Sequence, residues 1–484
     1  MKKNNAFRRA AALMAALSIT VSLAAPAFAD IYYIDDGDIT ITKDEHGQTV
    51  QQNGTTKDDS GEIIITTREQ TITTLESDLE GPAAEDTGFG PVVEDNYQPA
   101  PPAQPEDAEE PKDADQPEDD DQKNAEESEN DEEQKDADRQ ENTDRKESAE
   151  EPEDADRKES ADRQAQPQQA APAAAPAAST PGNGFCKNII TVINNAATAL
   201  KLTLKDVKID VSDTGTEDYF KAGKAALSVQ GSGDVEIELD GKNELKSGFS
   251  KAGLEKTSAG TLTLKDDNQK AGSLTATGGN WAAGIGGGYL GNGKNITIKG
   301  GTVNAAGGDN GGAGIGGGYG DDSDHITITG GTVTAEGGNY GAGIGGGYGG
   351  VGDHITISGG AVTAIGGRVG GAGIGGGYSG DGDHITITGG KVTAEGGNSG
   401  AGIGGGYWGR GRNITVSGAA QVTAVAGKSD EDNFSGFGAT IGDGYNGGDT
   451  RDDDGNLISY GSGKEVQADI SGLTTTGYIR HMIY

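Results

Sequence analysis

Apolar and polar residues alternate in short runs along the second half of this 484-residue chain. The run ITIT at 326–329 is followed by two glycines and then by TVTA at 332–335. A period of two is the pattern of a half-buried β-strand. Another Gly-Gly pair ends the second run, and the phrase AGIGGGY then supplies one large apolar residue. The pattern therefore predicts three short strands joined by glycine corners.

The phrase AGIGGGY recurs at a nearly constant spacing. It occurs five times between residues 283 and 407, and its isoleucines are separated by 30, 29, 30 and 29 residues: Ile285, Ile315, Ile344, Ile374 and Ile403. A short fixed period indicates one supersecondary unit stacked on copies of itself. The sequence predicts an all-β protein, a parallel β-helix with about 30 residues per coil. α-Helix is excluded here because each glycine costs a helix about 1 kcal/mol.

The repeat continues on both sides in a less regular form. Leu227, Leu254 and Ile285 are spaced 27 and 31 residues apart and are expected to begin one ladder. Downstream, ATIGDGY at 439–445 is a degenerate copy displaced by an insertion around 428–437. Together these units predict about eight coils. At about 4.8 Å per coil the solenoid would be near 40 Å long.

The N-terminus has the pattern of a secretory leader. Lys2, Lys3, Arg8 and Arg9 precede an apolar run at 10–25, and Ala-Phe-Ala at 27–29 is an A-x-A cleavage signal. We expect a signal peptide, residues 1–29, that is cleaved after Ala29. No later stretch is apolar enough to predict a transmembrane segment. The mature protein is therefore expected to be secreted, extracellular or associated with the cell surface.

The composition divides the rest of the chain. Residues 30–79 contain strand-like runs and are expected to form an N-terminal cap or first partial coil. Residues 80–182 are rich in Glu, Asp, Pro and Ala, and 101–165 hold 28 acids against 9 bases. Such a segment predicts disorder, and it interrupts two stretches that read as one solenoid. We expect the β-helix repeats at 183–445 and a C-terminal cap at 446–484.

Charge and cysteine content exclude several functional classes. The formal net charge of −39 argues against nucleic acid and anionic lipid as partners. The single cysteine, Cys186, has no partner for an internal disulfide. No histidine is indicated near it, so it is not predicted to be a catalytic nucleophile.

Stacking turns each position of the repeat into a row of side chains. One row consists of tyrosines: Tyr289, Tyr319, Tyr348, Tyr378, Tyr407 and Tyr445. Facing outward at about 4.8 Å spacing, they would match the sugar units of an extended polysaccharide. Trp281 and Trp408 lie near the ends of this row and are candidate anchors. The alternative is that the tyrosines fill a corner of the solenoid or stack as a structural ladder.

A second row pairs an acid with a histidine in three successive coils. The acids are candidate calcium ligands, because oxygen-rich loops suit that ion: Asp324, Asp353 and Asp383. Charge shielding of a strand edge is the ordinary alternative. The histidines that follow are His325, His354 and His384, with Asn295 and Asn413 in the flanking coils. Asparagine in place of histidine favours a shared hydrogen bond at a turn over a metal site.

The repeat text resembles a known group of proteins. The phrase AGIGGGY, followed by [NH]-I-T-I-x-G-G-x-V-T-A and preceded by VEIELDGKNELKSG and AGLEKTSAGTLTLKDD, is similar to exported glycine-rich β-helix proteins of anaerobic Gram-positive bacteria. These are commonly labelled carbohydrate-binding domain-containing. The resemblance covers about 190–445 and 30–74. It implies a right-handed parallel β-helix, related to pectate-lyase-like folds, with polysaccharide recognition.

We therefore expect a protein that binds an extracellular polysaccharide or host glycan without catalysis. No catalytic residue is assigned. Catalytic sites break a repeat locally, and the regular coils of this chain repeat with little interruption. One alternative is a protein-binding adhesin or structural surface protein that docks on the glycines of the repeat, such as Gly316, Gly346 and Gly376. A second is a polysaccharide lyase or hydrolase. Its candidate parts are Asp353 and Asp383 with Arg368, Arg410 or Arg412, and Asp430, Glu431, Asp432, Asp443, Asp449 and Arg451 of the irregular coil.

Overall fold

The structure is a computed structural model that describes residues 29–68, 184–217, 221–268, 271–428, 437–446, 450–451, 457–459 and 462–483. Residues 1–28 of the predicted leader, residues 69–79 of the expected N-terminal cap and the acidic segment at 80–182 lie outside the described residues. So do Asp430, Glu431, Asp432 and Asp449 of the irregular coil. None of the described helices is long and apolar enough to cross a membrane.

Each coil contains three short strands that belong to three parallel sheets. In one central coil they are Ser323–Ile328 in sheet 1, Thr332–Glu336 in sheet 2 and Ile344–Gly345 in sheet 3. Gly-Gly corners separate the strands, as the alternation predicted. Sheet 2 contains nine strands among the described residues, so the solenoid has about nine coils against the eight expected. The predicted all-β parallel β-helix is confirmed.

The strands of each sheet follow one another in coil order. Sheet 1 contains Asp30–Tyr33, Ile63–Thr66, Leu200–Lys205, Val235–Asp240, Leu262–Lys265, Gly293–Ile298, Ser323–Ile328, Gly352–Ile357 with Gly382–Asp383 beside it, Thr386–Ile387 and Thr415–Val416. Sheet 2 contains Lys208–Asp210, Lys242–Lys246, Ser273–Thr277, Thr302–Ala306, Thr332–Glu336, Ala361–Ile365, Lys391–Glu395, Gln421–Val425 and Tyr478–Met482. Sheet 3 contains Ile39–Asp44, Ile190–Asn194, Leu227–Gly231, Leu254–Lys256, Ile285–Gly286, Ile315–Gly316, Ile344–Gly345, Ile374–Gly375, Ile403–Gly404 and Ile441–Gly442. The remaining elements are Gly47–Gln52 and Thr55–Asp58, antiparallel at the edge of sheet 3, the pair Thr450–Arg451 and Leu457–Ser459, and a 3-10 turn at Ile34–Asp36.

The core is a set of apolar ladders that run along the solenoid. In sheet 3, Leu227 pairs with Leu254 and Leu254 with Ile285, which confirms the predicted ladder. The ladder continues through the repeat isoleucines to Ile441, and all of these side chains are fully buried. Burying one such side chain contributes about 1.5–3 kcal/mol. The identical register from coil to coil makes each isoleucine pack on its own copy.

The residues on both sides of the acidic segment lie in the same sheets. Ile63 pairs with Leu202 in sheet 1, and Ile39 pairs with Ile190 in sheet 3. The described residues on the two sides of this segment accordingly belong to one compact unit. Strands Gly47–Gln52 and Thr55–Asp58 continue sheet 3 beyond its first parallel strand as an antiparallel hairpin.

The glycines of the repeat are interior residues. Gly316, Gly346 and Gly376 are buried, so the expectation of a bare glycine face for protein docking was wrong at these positions. A methyl group on Gly346 would lie 2.0 Å from the carbonyl oxygen of Gly350. Glycine is used there because the chain packs against its own backbone more closely than any side chain allows.

Candidate functional site

The tyrosines of the repeat form a continuous column, which we call the tyrosine column: Tyr289, Tyr319, Tyr348, Tyr378, Tyr407 and Tyr445. Each follows sheet 3, in the turn that leads to sheet 1. The backbone N–H of Tyr348 donates to the carbonyl of Gly311 at 2.8 Å, and that of Tyr378 donates to Tyr340 at 2.8 Å. These bonds fix each tyrosine against the turn of the preceding coil.

The rings of the tyrosine column stack on one another. The centroids of Tyr319 and Tyr348 are 4.7 Å apart at 4°, and those of Tyr348 and Tyr378 are 5.5 Å apart at 5°. Tyr340 meets Tyr348 and Tyr378 edge-on at 84°. The faces of these rings therefore contact other tyrosines, and the half-buried edges remain for a ligand.

The exposed part of the column is a row of phenol groups. Burial raises the pKa of the Tyr319 and Tyr378 hydroxyls, and the neighbouring tyrosines raise it further. Both groups therefore stay protonated at neutral pH and can donate as well as accept hydrogen bonds. Tyr445, at the end of the column, is only 4% exposed and belongs to the interior.

The two tryptophans differ in their surroundings. Trp281 is half-buried, with its ring 5.1 Å from Phe249 and 5.1 Å from Tyr289. Trp408 is 52% exposed. Its ring meets that of Tyr407 at 5.2 Å and 81°. Trp408 is therefore an exposed aromatic group held in place by the tyrosine column.

The residue after each of the first five tyrosines has a left-handed backbone. Its φ is +80° at Gly320, +73° at Gly349 and +63° at Ser379, but the same position carries Leu290 at +53° and Trp408 at +67°. A bulky residue in this region costs about 1–2 kcal/mol relative to the right-handed form. Leu290 is also 59% exposed. Two large apolar side chains thus flank three coils that carry glycine or serine.

The acid and histidine row forms a second column on the outside of sheet 1, which we call the Asp–His column: Asp324, His325, Asp353, His354, Asp383 and His384. Asp324 pairs with Asp353 and Asp353 with Asp383 in the strand register. Each histidine has a left-handed backbone, with φ of +55°, +47° and +47° along the chain. Asn295 and Asn413 have the same conformation at +55° and +49°. The shared left-handed backbone therefore explains why asparagine takes the place of histidine in the flanking coils.

Imidazole rings and carboxylates alternate along the Asp–His column. His325 and His354 stack at 4.8 Å, and so do His354 and His384. His354 Nδ1 lies 3.3 Å from Asp324 Oδ1 and 3.1 Å from Asp353 Oδ2. His384 Nδ1 lies 3.1 Å from Asp353 Oδ1 and 3.3 Å from Asp383 Oδ1. Each carboxylate thus lies beside imidazoles, or beside the Asn413 amide at 2.7 Å for Asp383.

The acids nearest the turns hold adjacent coils together. Asp322 Oδ1 accepts the N–H of Val351 at 2.8 Å. Asp381 Oδ1 accepts the N–H of Arg410 at 2.8 Å, and Arg412 contacts the other carboxylate oxygen. Asp443 accepts the N–H of Gly411 at 2.9 Å. Sequence reasoning missed these acid-to-backbone bonds between coils.

Among the described residues, the proposed catalytic parts are not brought together into one site. Arg412 pairs with Asp381, whereas Asp353 and Asp383 face histidines. Arg368 lines a separate groove of about 340 Å³ with Glu336 and Glu395. Of Arg451 the structure describes only the backbone.

A polar cleft near the N-terminal coils was also missed. Its volume is about 610 Å³, and Lys201, Glu236, Glu238 and Lys265 are among its lining residues. Lys265 lies 3.5 Å from Glu238 and 2.9 Å from Asp267, and these carboxylates raise the pKa of its ammonium. The charges are thus paired within the cleft. The feature of the sequence that could have predicted this cleft is the occurrence of Lys and Glu at outward positions of sheet 1.

Comparison with known proteins supports the fold. A family model described as a β-helix repeat matches residues 270–289, 296–319, 326–348, 355–378 and 385–407. These segments include the tyrosine column from Tyr289 to Tyr407, and each acid–histidine pair lies between two of them. No curated protein and no solved structure matched the chain.

Proposed function

We propose that this β-solenoid is an exported or surface-associated protein that binds an extended extracellular glycan without transforming it. The glycan would lie along the edge of the tyrosine column. The observation that supports this best is Trp408, which exposes half of its surface at a strained backbone position. The three coils before it carry glycine or serine at this position, and strained backbone is often retained at binding sites.

The edge of the column fits a sugar chain in chemistry and spacing. Sugars combine hydroxyl groups with apolar C–H faces, so they suit phenol hydroxyls next to an open indole. The tyrosine centroids are 4.7–5.8 Å apart along the column. Successive hydroxyls thus repeat at close to the length of one monosaccharide in an extended chain.

Leu290 and Trp408 define the length of this surface. They are four coils apart, which corresponds to about 19 Å. Between them lie Gly320, Gly349 and Ser379, and a methyl group on Gly349 would meet no atom within 4 Å. The middle of the edge is therefore open, and it would accommodate about three to four sugar units.

The stacking of the tyrosine rings changes how the ligand would bind. Because their faces contact one another, the sugar would stack on Trp408 alone and hydrogen-bond to the phenol edges. This separates the two contributions experimentally. Tyr348→Phe removes a hydroxyl and keeps the stack of rings. Trp408→Ser removes the aromatic ring and introduces serine, which the preceding coil carries at the equivalent position as Ser379.

The test is binding of the purified full chain to an array of plant, microbial and host glycans, with calcium and with chelator. We expect a selective, saturable ligand whose affinity falls at least about tenfold in Trp408→Ser, or about 1.4 kcal/mol. Tyr348→Phe should weaken binding by a smaller factor, with unchanged thermal unfolding. His354→Asn, on the Asp–His column, is the matched control and should bind normally.

Two results would refute the proposal. If no glycan binds under either condition, a protein partner is favoured, and cell-surface proteins would then be tested for binding to the surface around Trp408. Glycan binding that survives Trp408→Ser would place the site elsewhere. Loss of binding only in chelator would indicate that the acidic row takes part through calcium.

A further inference from the structure

The Asp–His column contains two overlapping groups of metal-ligating side chains. The first group is Asp324, His325 and His354, and the second is Asp353, His354 and His384. Within each group one donor atom from each residue lies within 4.8 Å of the others. The glycan proposal uses none of these residues, so metal binding here is independent of it.

We propose that the Asp–His column binds one divalent transition-metal ion per chain, of the class of Zn²⁺ or Cu²⁺. The ion would occupy either triad and take two imidazole nitrogens and one carboxylate oxygen. Imidazole suits zinc and copper, and calcium requires an all-oxygen set. The mixed donor set therefore changes the expected ion from calcium, which the acids alone had suggested.

The backbone holds these side chains in register. Asp324 and Asp353 are directly paired in sheet 1, and both histidines that follow have left-handed backbone. His354 N–H donates to Asp353 Oδ1 at 2.8 Å, and His384 N–H donates to Asp383 Oδ1 in the same way. The Asp353 carboxylate of the second triad is thus fixed on the histidine side of the column.

Metal binding requires the rings to turn. His325 and His354 are parallel within 7°, so their nitrogen lone pairs do not converge on one point. Zn–N bonds of about 2.0–2.1 Å require the donors to be at most about 4.2 Å apart. The histidine side chains are 47–60% exposed, so rotation meets little packing resistance. Ring rotation costs about 0.5–1.5 kcal/mol per side chain.

The shared residue sets the stoichiometry. His354 belongs to both triads, and its Nδ1 faces both Asp324 and Asp353. One nitrogen binds one ion, so the triads exclude each other. Removing His354 destroys both, whereas removing His325 or His384 leaves one triad intact.

The chain supplies its own replacement for the histidines. Asn295 and Asn413 occupy the equivalent position with the same left-handed backbone, so His→Asn changes the ligand without straining the fold. The reverse change, Asn413→His, places a histidine beside Asp383, which Asn413 contacts at 2.7 Å. That variant would have two triads with no shared residue.

The experiment is calorimetric titration of the full chain with Zn²⁺, with Cu²⁺ electron paramagnetic resonance as a second readout and Ca²⁺ as the comparison ion. The acidic segment is expected to bind cations weakly in every variant, so the difference between variants is the quantity to compare. We expect one ion per chain, with nitrogen hyperfine structure from two imidazoles. His325→Asn should weaken binding about twofold, and His354→Asn at least about tenfold. Asn413→His should raise the stoichiometry to two.

Three outcomes would overturn the inference. Binding by His354→Asn that equals the wild type would place the ion elsewhere. Asn413→His with unchanged stoichiometry would exclude overlapping triads. Calcium that displaces zinc at equal concentration would show an all-oxygen site. Circular dichroism of each variant should match the wild type, so that none of these results reflects unfolding.

Discussion

Gly345 and Gly349 lie four residues apart in one repeat and predict opposite results for the same substitution. Gly345 has φ of +141°, and a methyl group added to it would lie 1.8 Å from the carbonyl oxygen of Gly375. That oxygen accepts the N–H of Gly346 at 2.9 Å. Gly349 also has a positive φ, +73°, but a methyl group there would meet nothing within 4 Å.

The magnitudes follow from these distances. At Gly349 only the left-handed backbone opposes alanine, at about 1 kcal/mol. At Gly345 the backbone strain costs about 1–3 kcal/mol and overpacking another 1–3 kcal/mol. Displacing the Gly375 carbonyl weakens an inter-coil hydrogen bond, which costs about 1 kcal/mol. We therefore expect Gly345→Ala to destabilise the protein by about 4 kcal/mol or more.

The assay is guanidinium unfolding of the full chain, followed by far-ultraviolet circular dichroism. Solenoids do not always unfold in two states, so the shift in midpoint between the two variants is the quantity to compare. Gly349→Ala should unfold near the wild-type midpoint. Gly345→Ala should unfold at a much lower guanidinium concentration, or fail to fold when it is expressed. Equal midpoints would refute the view that close backbone packing between coils dictates these glycines.

Three further predictions concern Lys256 and Cys186, which lie outside the two columns, and the backbone of His354 in the Asp–His column. Burial lowers the pKa of Lys256 to about 8, so between about pH 8 and 10.5 the unfolded chain binds a proton that the folded protein has released. The contribution of Lys256 to stability should therefore rise over that window, by up to about 3 kcal/mol, and Lys256→Met should remove this contribution from the pH dependence of unfolding. Burial raises the pKa of Cys186 to about 11 from 9.0, so its alkylation at pH 8 should be about a hundredfold slower in the folded protein than in urea; equal rates would show an accessible thiol. His354→Asn should leave the unfolding midpoint unchanged while His354→Val lowers stability by about 1–2 kcal/mol, because φ at this position is +47°.

The fold could be predicted from the sequence because one physical rule decides it. A repeat of about 30 residues with apolar residues at fixed positions buries them only by stacking in register. The ladder through Leu227, Leu254 and Ile285 was predicted and is confirmed, although the spacing changes there from 27 to 31 residues. The antiparallel strands Gly47–Gln52 and Thr55–Asp58 were not predicted, because each occurs once and no repeat marks it.

The candidate sites depended on information that a repeat pattern does not contain. The sequence pattern of a row of tyrosines is the same whether the rings face solvent or one another. The outcome depends on Tyr340, which meets two of the rings edge-on, and on Gly311, whose absent side chain leaves room for Tyr348. For the histidines the signal was present: asparagine at the same position in both flanking coils indicates left-handed backbone. The role of these residues in binding remains a prediction.

The identical register of successive coils has a consequence for the evolution of this protein. Removing residues 355–384 would join His354 to Ile385 and restore the text D-H-I-T-I without disturbing any ladder. Recombination between repeats can therefore shorten or lengthen the solenoid in whole coils while every new contact copies an old one. Each event would add or remove one tyrosine and change the number of acid–histidine steps. Copy number, without any new side chain, would then adjust how long a polymer the surface holds.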